Sequence, residues 1–179
     1  MDCSNCGTTM TEVTCPSCRR SLPANARGPI DETTGLMLAG WGRRAGQVFA
    51  DCLIFVIPGY FIFSLFNELD GEGIGIAMTL VGIGAYFVPL WTSIRGQSLG
   101  NRVAVTRVRD AVTGQRISVV QAFKRWAFVA VYAALRFGPS PWVPVLFYVV
   151  LLADCLYPLY DKRKQTLHDK FAGTIVVVA

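Results

Sequence analysis

The sequence predicts an all-α membrane bundle of about four transmembrane helices, with a small cytoplasmic β-hairpin or sheet and an N-terminal zinc ribbon. Three observations predict this class. Of the 179 residues, 53% are hydrophobic and only 16% are charged, which is too little charge to cover a soluble domain of this size. Several apolar runs approach the ~20 residues that a helix needs to cross the hydrocarbon of a bilayer. The chain also begins with cysteines at the spacing of a zinc site.

Residues 1–20 contain two CxxC pairs separated by eight residues. Each CxxC turn presents two thiolates to one ion, and two such turns complete a tetrahedral site. Disulfides are the alternative, but a cytoplasmic location keeps thiols reduced. We therefore predict a zinc ribbon with one structural Zn, whose ligands are Cys3, Cys6, Cys15 and Cys18.

A ribbon with four cysteine ligands has no open coordination position, so we do not expect it to be catalytic. Its expected role is to bind a cytoplasmic protein partner or to cap the membrane domain. Residues 21–40 contain several Pro and Gly residues and are interpreted as a linker. The membrane domain is then expected to occupy residues 41–179.

Four apolar segments predict the helices of that domain, at about residues 45–66, 74–94, 119–137 and 142–160. The third is the weakest, because spanning draws Lys124 and Arg125 into the inner headgroup region, where long basic side chains can snorkel. The alternative is an interfacial helix over the same residues, which leaves three crossings.

The distribution of basic residues predicts the orientation of these helices. Basic residues cluster before the first helix, between the second and third helices, and after the fourth, whereas residues 67–73 are acidic. By the positive-inside rule, both termini and the middle connection are cytoplasmic. We therefore predict a multi-pass protein of the plasma (inner) membrane, whose partners include the lipid bilayer and its anionic headgroups.

Short β-favouring runs predict strands at about residues 102–109, 116–119 and 174–178. In the first run, polar and apolar residues alternate. Its basic face, formed by Arg102, Arg107 and Arg109, would lie either against anionic headgroups or in solvent as a polar face. Nucleic acid is not expected as a partner for so few charges.

Two carboxylates interrupt the predicted membrane helices. Asp51 lies seven residues inside Arg44, and Asp154 lies seven residues before Asp161, so each is ~10 Å from the polar end of its helix. Ionisable groups inside a bilayer usually face the interior of a bundle and find a partner. We predict that the two carboxylates meet at one level and form an ion- or proton-binding site. Arg44 shares a helix face with Asp51 and is expected to contribute to it.

Three separated motifs follow one another between about residues 38 and 178. The first is Arg44 with Asp51, the second is the segment 96–102 (Gly-Gln-Ser-Leu-Gly-Asn-Arg), and the third is the segment 165–169 (Gln-Thr-Leu-His-Asp). In this order they resemble the signatures of the RDD family of small membrane proteins. Asn101 stands where that family usually has Lys, and Val105 stands where it often has Gly.

The resemblance implies that Arg44, Asp51, His168 and Asp169 are signature residues. It also suggests transport, with cation/proton antiport proposed for some members. Our first hypothesis is a small homo-oligomeric transporter in which Asp51 binds the ion or proton and Asp154 is its partner. The alternative is a non-transporting membrane scaffold or adaptor whose zinc ribbon recruits a cytoplasmic partner. An enzyme is not expected, because the chain has one His and no Ser/His/Asp arrangement.

Overall fold

The computed structural model describes residues 28–70, 72–135 and 142–179 of the chain. These residues form six helices and a two-stranded sheet. The elements in chain order are α1 (Trp41–Asp70), α2 (Glu72–Thr92), α3 (Leu99–Val103), β1 (Thr106–Asp110), α4 (Val119–Leu135), α5 (Trp142–Tyr160), α6 (Leu167–Ala172) and β2 (Thr174–Val178). The predicted zinc ligands Cys3, Cys6, Cys15 and Cys18 lie outside the described residues, so the ribbon stays a prediction.

Helices α1, α2, α4 and α5 occupy the four apolar segments. Helix α1 begins at Trp41 and ends at Asp70, several residues beyond the predicted bounds at each end. Hydropathy marks where a helix becomes polar, whereas its hydrogen bonding continues through polar residues, as in the bond from Arg44 N–H to the Gly40 carbonyl. Within residues 28–70, 72–135 and 142–179, no helix combines the length and the apolar character needed to cross a membrane.

The sheet joins distant parts of the chain. Strands β1 and β2 pair antiparallel, with Thr106 opposite Val178 and Asp110 opposite Thr174. On its other edge, β2 forms a bridge between Val177 and Leu38 and accepts the Ala39 N–H at the Val176 carbonyl. Strand β2 is therefore central, and all five of its residues are buried.

The structure differs from the predicted strands in two places. Residues Leu99–Val103 form helix α3 instead of the start of a strand, because Ser98 caps the helix and Asn101 completes the capping box. Residues 116–119 do not form a strand in the described structure: they lead into α4, which begins at Val119.

The core lies where the sheet meets the helices. On one face of the sheet, Val108 and Val176 pack with Trp91 of α2 and Ala122 of α4. Among the side chains that the structure describes, large apolar residues are exposed on each of the long helices. In α5, aliphatic side chains exposed by about half of their surface recur along the helix at Val145, Leu146, Val149, Leu152 and Leu156.

Candidate functional site

Asp169 is the centre of a buried ion cluster. The capping box of α6 fixes its position, since Asp169 is the third residue of the helix and its backbone N–H bonds to the Thr166 hydroxyl. Its side chain has no exposed surface and accepts hydrogen bonds from Arg125 and from Arg44, the latter at 2.5 Å. Thr174 of β2 lies 3.2 Å from the same carboxylate. One side chain thus joins α1, α4, α6 and the sheet.

Electrostatics favour the charged form of Asp169. Burial alone raises the pKa of a carboxyl group, but the guanidinium groups of Arg125 and Arg44 outweigh it and hold the pKa of Asp169 far below its usual range. The cluster is therefore a fixed arrangement of charges at any physiological pH.

Arg125 is a site residue that the sequence reasoning missed. We expected it in the headgroup region, whereas it is 2% exposed and is inserted between Asp169, the Thr174 hydroxyl and the ring of Trp91. A guanidinium on an otherwise apolar helix face is the sequence signal that could have indicated burial, since such a group requires an acid partner.

Asp51 is held by the start of α3. Its carboxylate accepts the Ser98 hydroxyl at 2.7 Å and the Gly100 N–H at 2.8 Å. A carboxylate on free N–H groups at a helix start is a favourable arrangement. Arg44, the predicted neighbour of Asp51 on α1, forms its ion pair with Asp169 instead.

Asp154 is held by the first turn of α6. It accepts the His168 backbone N–H at 3.0 Å, and its other oxygen lies 2.7 Å from His168 Nδ1. His168 Nε2 is 3.9 Å from Asp169. The only His of the chain therefore stands between the carboxylate on α5 and the ion cluster.

The two carboxylates predicted to meet line one cavity. This cavity lies between α1, α2, α4 and α5 and has a volume of about 240 Å³, enough for several water molecules or a small solute. Its polar lining comes from Gln47, Asp51, Arg125, Asp154 and His168, and the rest of the wall is mainly apolar. Asp51 and Asp154 have separate hydrogen-bond partners: Ser98 and Gly100 for the first, His168 for the second.

The lining also contains donors without an acceptor. Among the described residues, the buried atoms Trp91 Nε1 and Arg125 Nε have no hydrogen-bond partner, and both side chains contribute to the cavity wall. Buried polar groups are normally satisfied by protein or by water. The surface that the cavity presents is nevertheless mostly apolar, so its polar character is confined to a few side chains.

No preformed metal centre accompanies these groups. Within the part of the chain that the structure describes, no three His, Cys, Asp or Glu side chains are placed to hold one metal ion. Cys52 and Cys155, which follow the two cavity acids, are free thiols on the same wall.

Comparisons with known proteins cover most of the helical region. The sequence profile of the RDD family matches residues 38–173. Uncharacterized protein RP437 of Rickettsia prowazekii (strain Madrid E) is 27% identical over 101 residues, which are 56% of this chain and 47% of that protein. The chain thus spans about half the length of this relative. No solved structure matches the sequence of this chain.

Proposed function

Since the chain belongs to the RDD family, we propose that its helical domain lies in a membrane and exchanges a small cation for protons at the cavity. The observation that carries this proposal is that Asp51 and Asp154 both line the cavity between α1, α2, α4 and α5. Two carboxylates from different helices, in a space of this size, are a suitable site for a cation.

The outer faces of the helices support a membrane location. Exposed aliphatic and aromatic side chains recur on each long helix, including Phe49 and Phe61 of α1, Val81 of α2 and Val131 of α4. Apolar surface of this extent usually contacts lipid or another protein. We propose the inner membrane, with both termini cytoplasmic as the basic clusters indicate.

The charge balance around the cavity supports exchange rather than simple binding. The ion cluster and the cavity wall contain two buried guanidinium groups, Arg44 and Arg125, and three buried carboxylates, Asp51, Asp154 and Asp169. With His168, which also lines the wall, counted as neutral, their formal charge is minus one. An uncompensated buried charge is costly, so one proton or one monovalent cation is needed to balance the site. Loading a cation then favours release of a proton.

The geometry suggests a division of roles. Asp51 has neutral donors only and would bind the cation. Asp154 would share the exchanged proton with His168, whose ring nitrogen is within hydrogen-bond distance. Asp169 is compensated by Arg44 and Arg125 and would keep its charge throughout.

Flux in proteoliposomes tests the proposal. We expect the full chain to exchange Na⁺ or K⁺ for protons, and Asp154→Asn and Asp51→Asn each to reduce the rate by about tenfold or more, the order of magnitude for removing one group that handles a proton. Glu32→Gln removes an exposed carboxylate outside the cavity and should leave the rate unchanged. Thermal unfolding of each variant shows that the fold persists.

One result would contradict transport, and another would change its mechanism. The absence of flux in the parent protein removes the proposal altogether. A rate in Asp154→Asn equal to that of Glu32→Gln removes Asp154 from the mechanism and leaves only Asp51.

A scaffold is the second candidate, and a specific observation favours it. The acids Asp51, Asp154 and Asp169 each have protein partners, so their contribution can be complete once they join the helices. The zinc ribbon would then recruit a cytoplasmic partner. Metal analysis tests this part: we expect one zinc per chain, lost in Cys3→Ser/Cys6→Ser. Zinc binding together with no flux in the parent would favour the scaffold.

A further inference from the structure

A second group of arginines lies on the sheet, apart from the ion cluster. Arg107 and Arg109 are two residues apart on β1, so their side chains leave the same face of the strand. The turn after β1 closes with a bond from the Asp110 N–H to the Gln115 carbonyl, and Arg116 follows directly after this turn. Burial and the nearby guanidinium groups of Arg107 and Arg116 lower the pKa of Arg109. The three positive charges are therefore close enough to repel one another.

Within residues 28–70, 72–135 and 142–179, none of these three arginines forms an ion pair. The basic residues that do form ion pairs there include Arg44, Arg125, Arg163, His168 and Lys170.

The nearest acid in sequence, Asp110, is directed to other partners. Its carboxylate accepts the N–H groups of Val112 and Thr113 and the amide of Gln121. It also follows Arg109 directly, and consecutive residues of a strand point to opposite faces.

In the part of the chain that the structure describes, two N–H donors of this group are buried and form no hydrogen bond. Arg107 Nε and Arg109 Nη1 are shielded from solvent and have no acceptor among the described residues. An unsatisfied buried N–H is unfavourable, and the guanidinium fork matches the oxygens of a phosphate group. We propose that Arg107, Arg109 and Arg116 bind a phosphate group, supplied either by an anionic phospholipid headgroup or by free phosphate.

The surroundings favour the lipid as the source. Ile94, two residues before Gly96, is 79% exposed. The Gly96 carbonyl accepts the Val108 N–H on the edge of β1 that is not paired with β2, so Ile94 lies near this strand. Val112, in the turn that follows the strand, is 73% exposed. Basic and aliphatic side chains side by side are typical of a surface at the headgroup level.

The test uses the full chain in neutral detergent and in vesicles. In the first arm, inorganic phosphate is titrated against chloride at equal ionic strength. In the second, vesicles of phosphatidylcholine with and without phosphatidylglycerol are compared. We expect the unfolding temperature to rise with inorganic phosphate relative to chloride, or with phosphatidylglycerol relative to phosphatidylcholine alone, whose phosphate is neutralised by its own choline. A rise in the second arm alone assigns the headgroup, and a rise in the first assigns free phosphate.

Matched variants make the result specific. Arg107→Gln/Arg116→Gln should weaken the apparent affinity by about tenfold or more. The control Lys124→Gln/Lys162→Gln removes the same number of charges from exposed positions outside the group and should keep the affinity. If the first variant does not fold, Arg107→Lys/Arg116→Lys keeps the charge, removes the fork and should still weaken binding.

The proposal is overturned if phosphate stabilises the parent protein no more than chloride does and phosphatidylglycerol no more than phosphatidylcholine alone does. It is also overturned if the control loses as much affinity as the arginine variant, or if the Lys variant binds as the parent does. None of these readouts depends on cation flux, so the site and the proposed transport can fail separately.

Discussion

The carboxylate of Asp169 lies between two guanidinium groups, whereas the carboxylates on the cavity wall have no such neighbours in direct contact. Asp51 is held by a hydroxyl and a backbone N–H, and Asp154 is held by a backbone N–H and the His168 ring. All three acids are buried. The molecule therefore contains two kinds of buried acid, which differ in the source of their compensation.

This difference distinguishes an acid that keeps its charge and stabilises the fold from acids whose charge could be neutralised by a proton or a cation. A charge balanced by Arg cannot be neutralised by removing a proton from its partner, because guanidinium groups stay protonated in proteins. A charge balanced by neutral donors or by an imidazole can instead gain and lose a counterion. Sequence signatures treat Asp51 and Asp169 alike, but their surroundings predict different consequences for substitution.

The largest effect is expected for Asp169→Asn. It leaves Arg44 and Arg125 buried without an acid, so we expect a loss of about 3–5 kcal/mol in the free energy of unfolding. Thermal unfolding in detergent measures it, with Glu32→Gln as the control. A variant as stable as the parent protein would show that the ion cluster does not hold the fold.

The dependence of stability on pH sharpens the same point. The pKa of Asp169 is lowered in the folded state, so its contribution is complete above the unfolded value of about 4. It declines below that pH and is lost only as the pH falls through the folded pKa. Between about pH 5 and pH 3 the parent protein should therefore lose more stability than Asp169→Asn does. Equal losses in the two proteins would contradict this assignment.

A smaller effect is expected for Gly100→Ala, which tests the contact between α1 and α3. A Cβ at Gly100 would lie 2.6 Å from Asp51 Oδ2 and would also meet the Gln47 carbonyl oxygen. We expect about 1–3 kcal/mol of destabilisation from this overpacking. The control Gly82→Ala meets nothing within 4 Å and should be neutral or stabilising. Equal stability of the two variants would show that α1 and α3 are not in close contact.

The smallest effect is expected at the edge of the bundle. Lys170 contacts Asp161 at 2.6 Å, but its side chain is 42% exposed. Since solvent screens such pairs, Lys170→Gln should change the free energy of unfolding by at most about 1 kcal/mol. An effect as large as that of Asp169→Asn would mean that burial does not distinguish the two ion pairs.

The positions of the long helices and of β2 could be predicted from local sequence, because apolar runs and β-branched residues report directly on burial. The alternation of polar and apolar residues predicted a strand over residues 102–109, and its first part was wrong. The capping box formed by Ser98 and Asn101 starts a helix that continues to Val103. Val105 then turns the chain into β1 with a φ of 53°, a conformation that Gly adopts without strain. The resemblance to a family with Gly at this position was the available signal for that turn.

The partners of the buried charges could not be predicted in the same way. Spacing on one helix placed Arg44 near Asp51, but the ion pair that forms joins residues separated by 125 positions. Likewise, nothing local links Asp154 to His168 or Arg125 to Asp169. Such pairs depend on how the helices pack, and a single sequence contains no record of that packing.

The central position of β2 has a consequence for biosynthesis. Asp169 and β2 come after every segment that they contact, since Leu38, Arg44, Arg125 and β1 all precede them in the chain. During translation Arg44 and Arg125 therefore lack their acid partner until Asp169 has been synthesised. The domain can therefore close only after the segment 169–178 has been synthesised, because Asp169 is the acid with which both Arg44 and Arg125 pair.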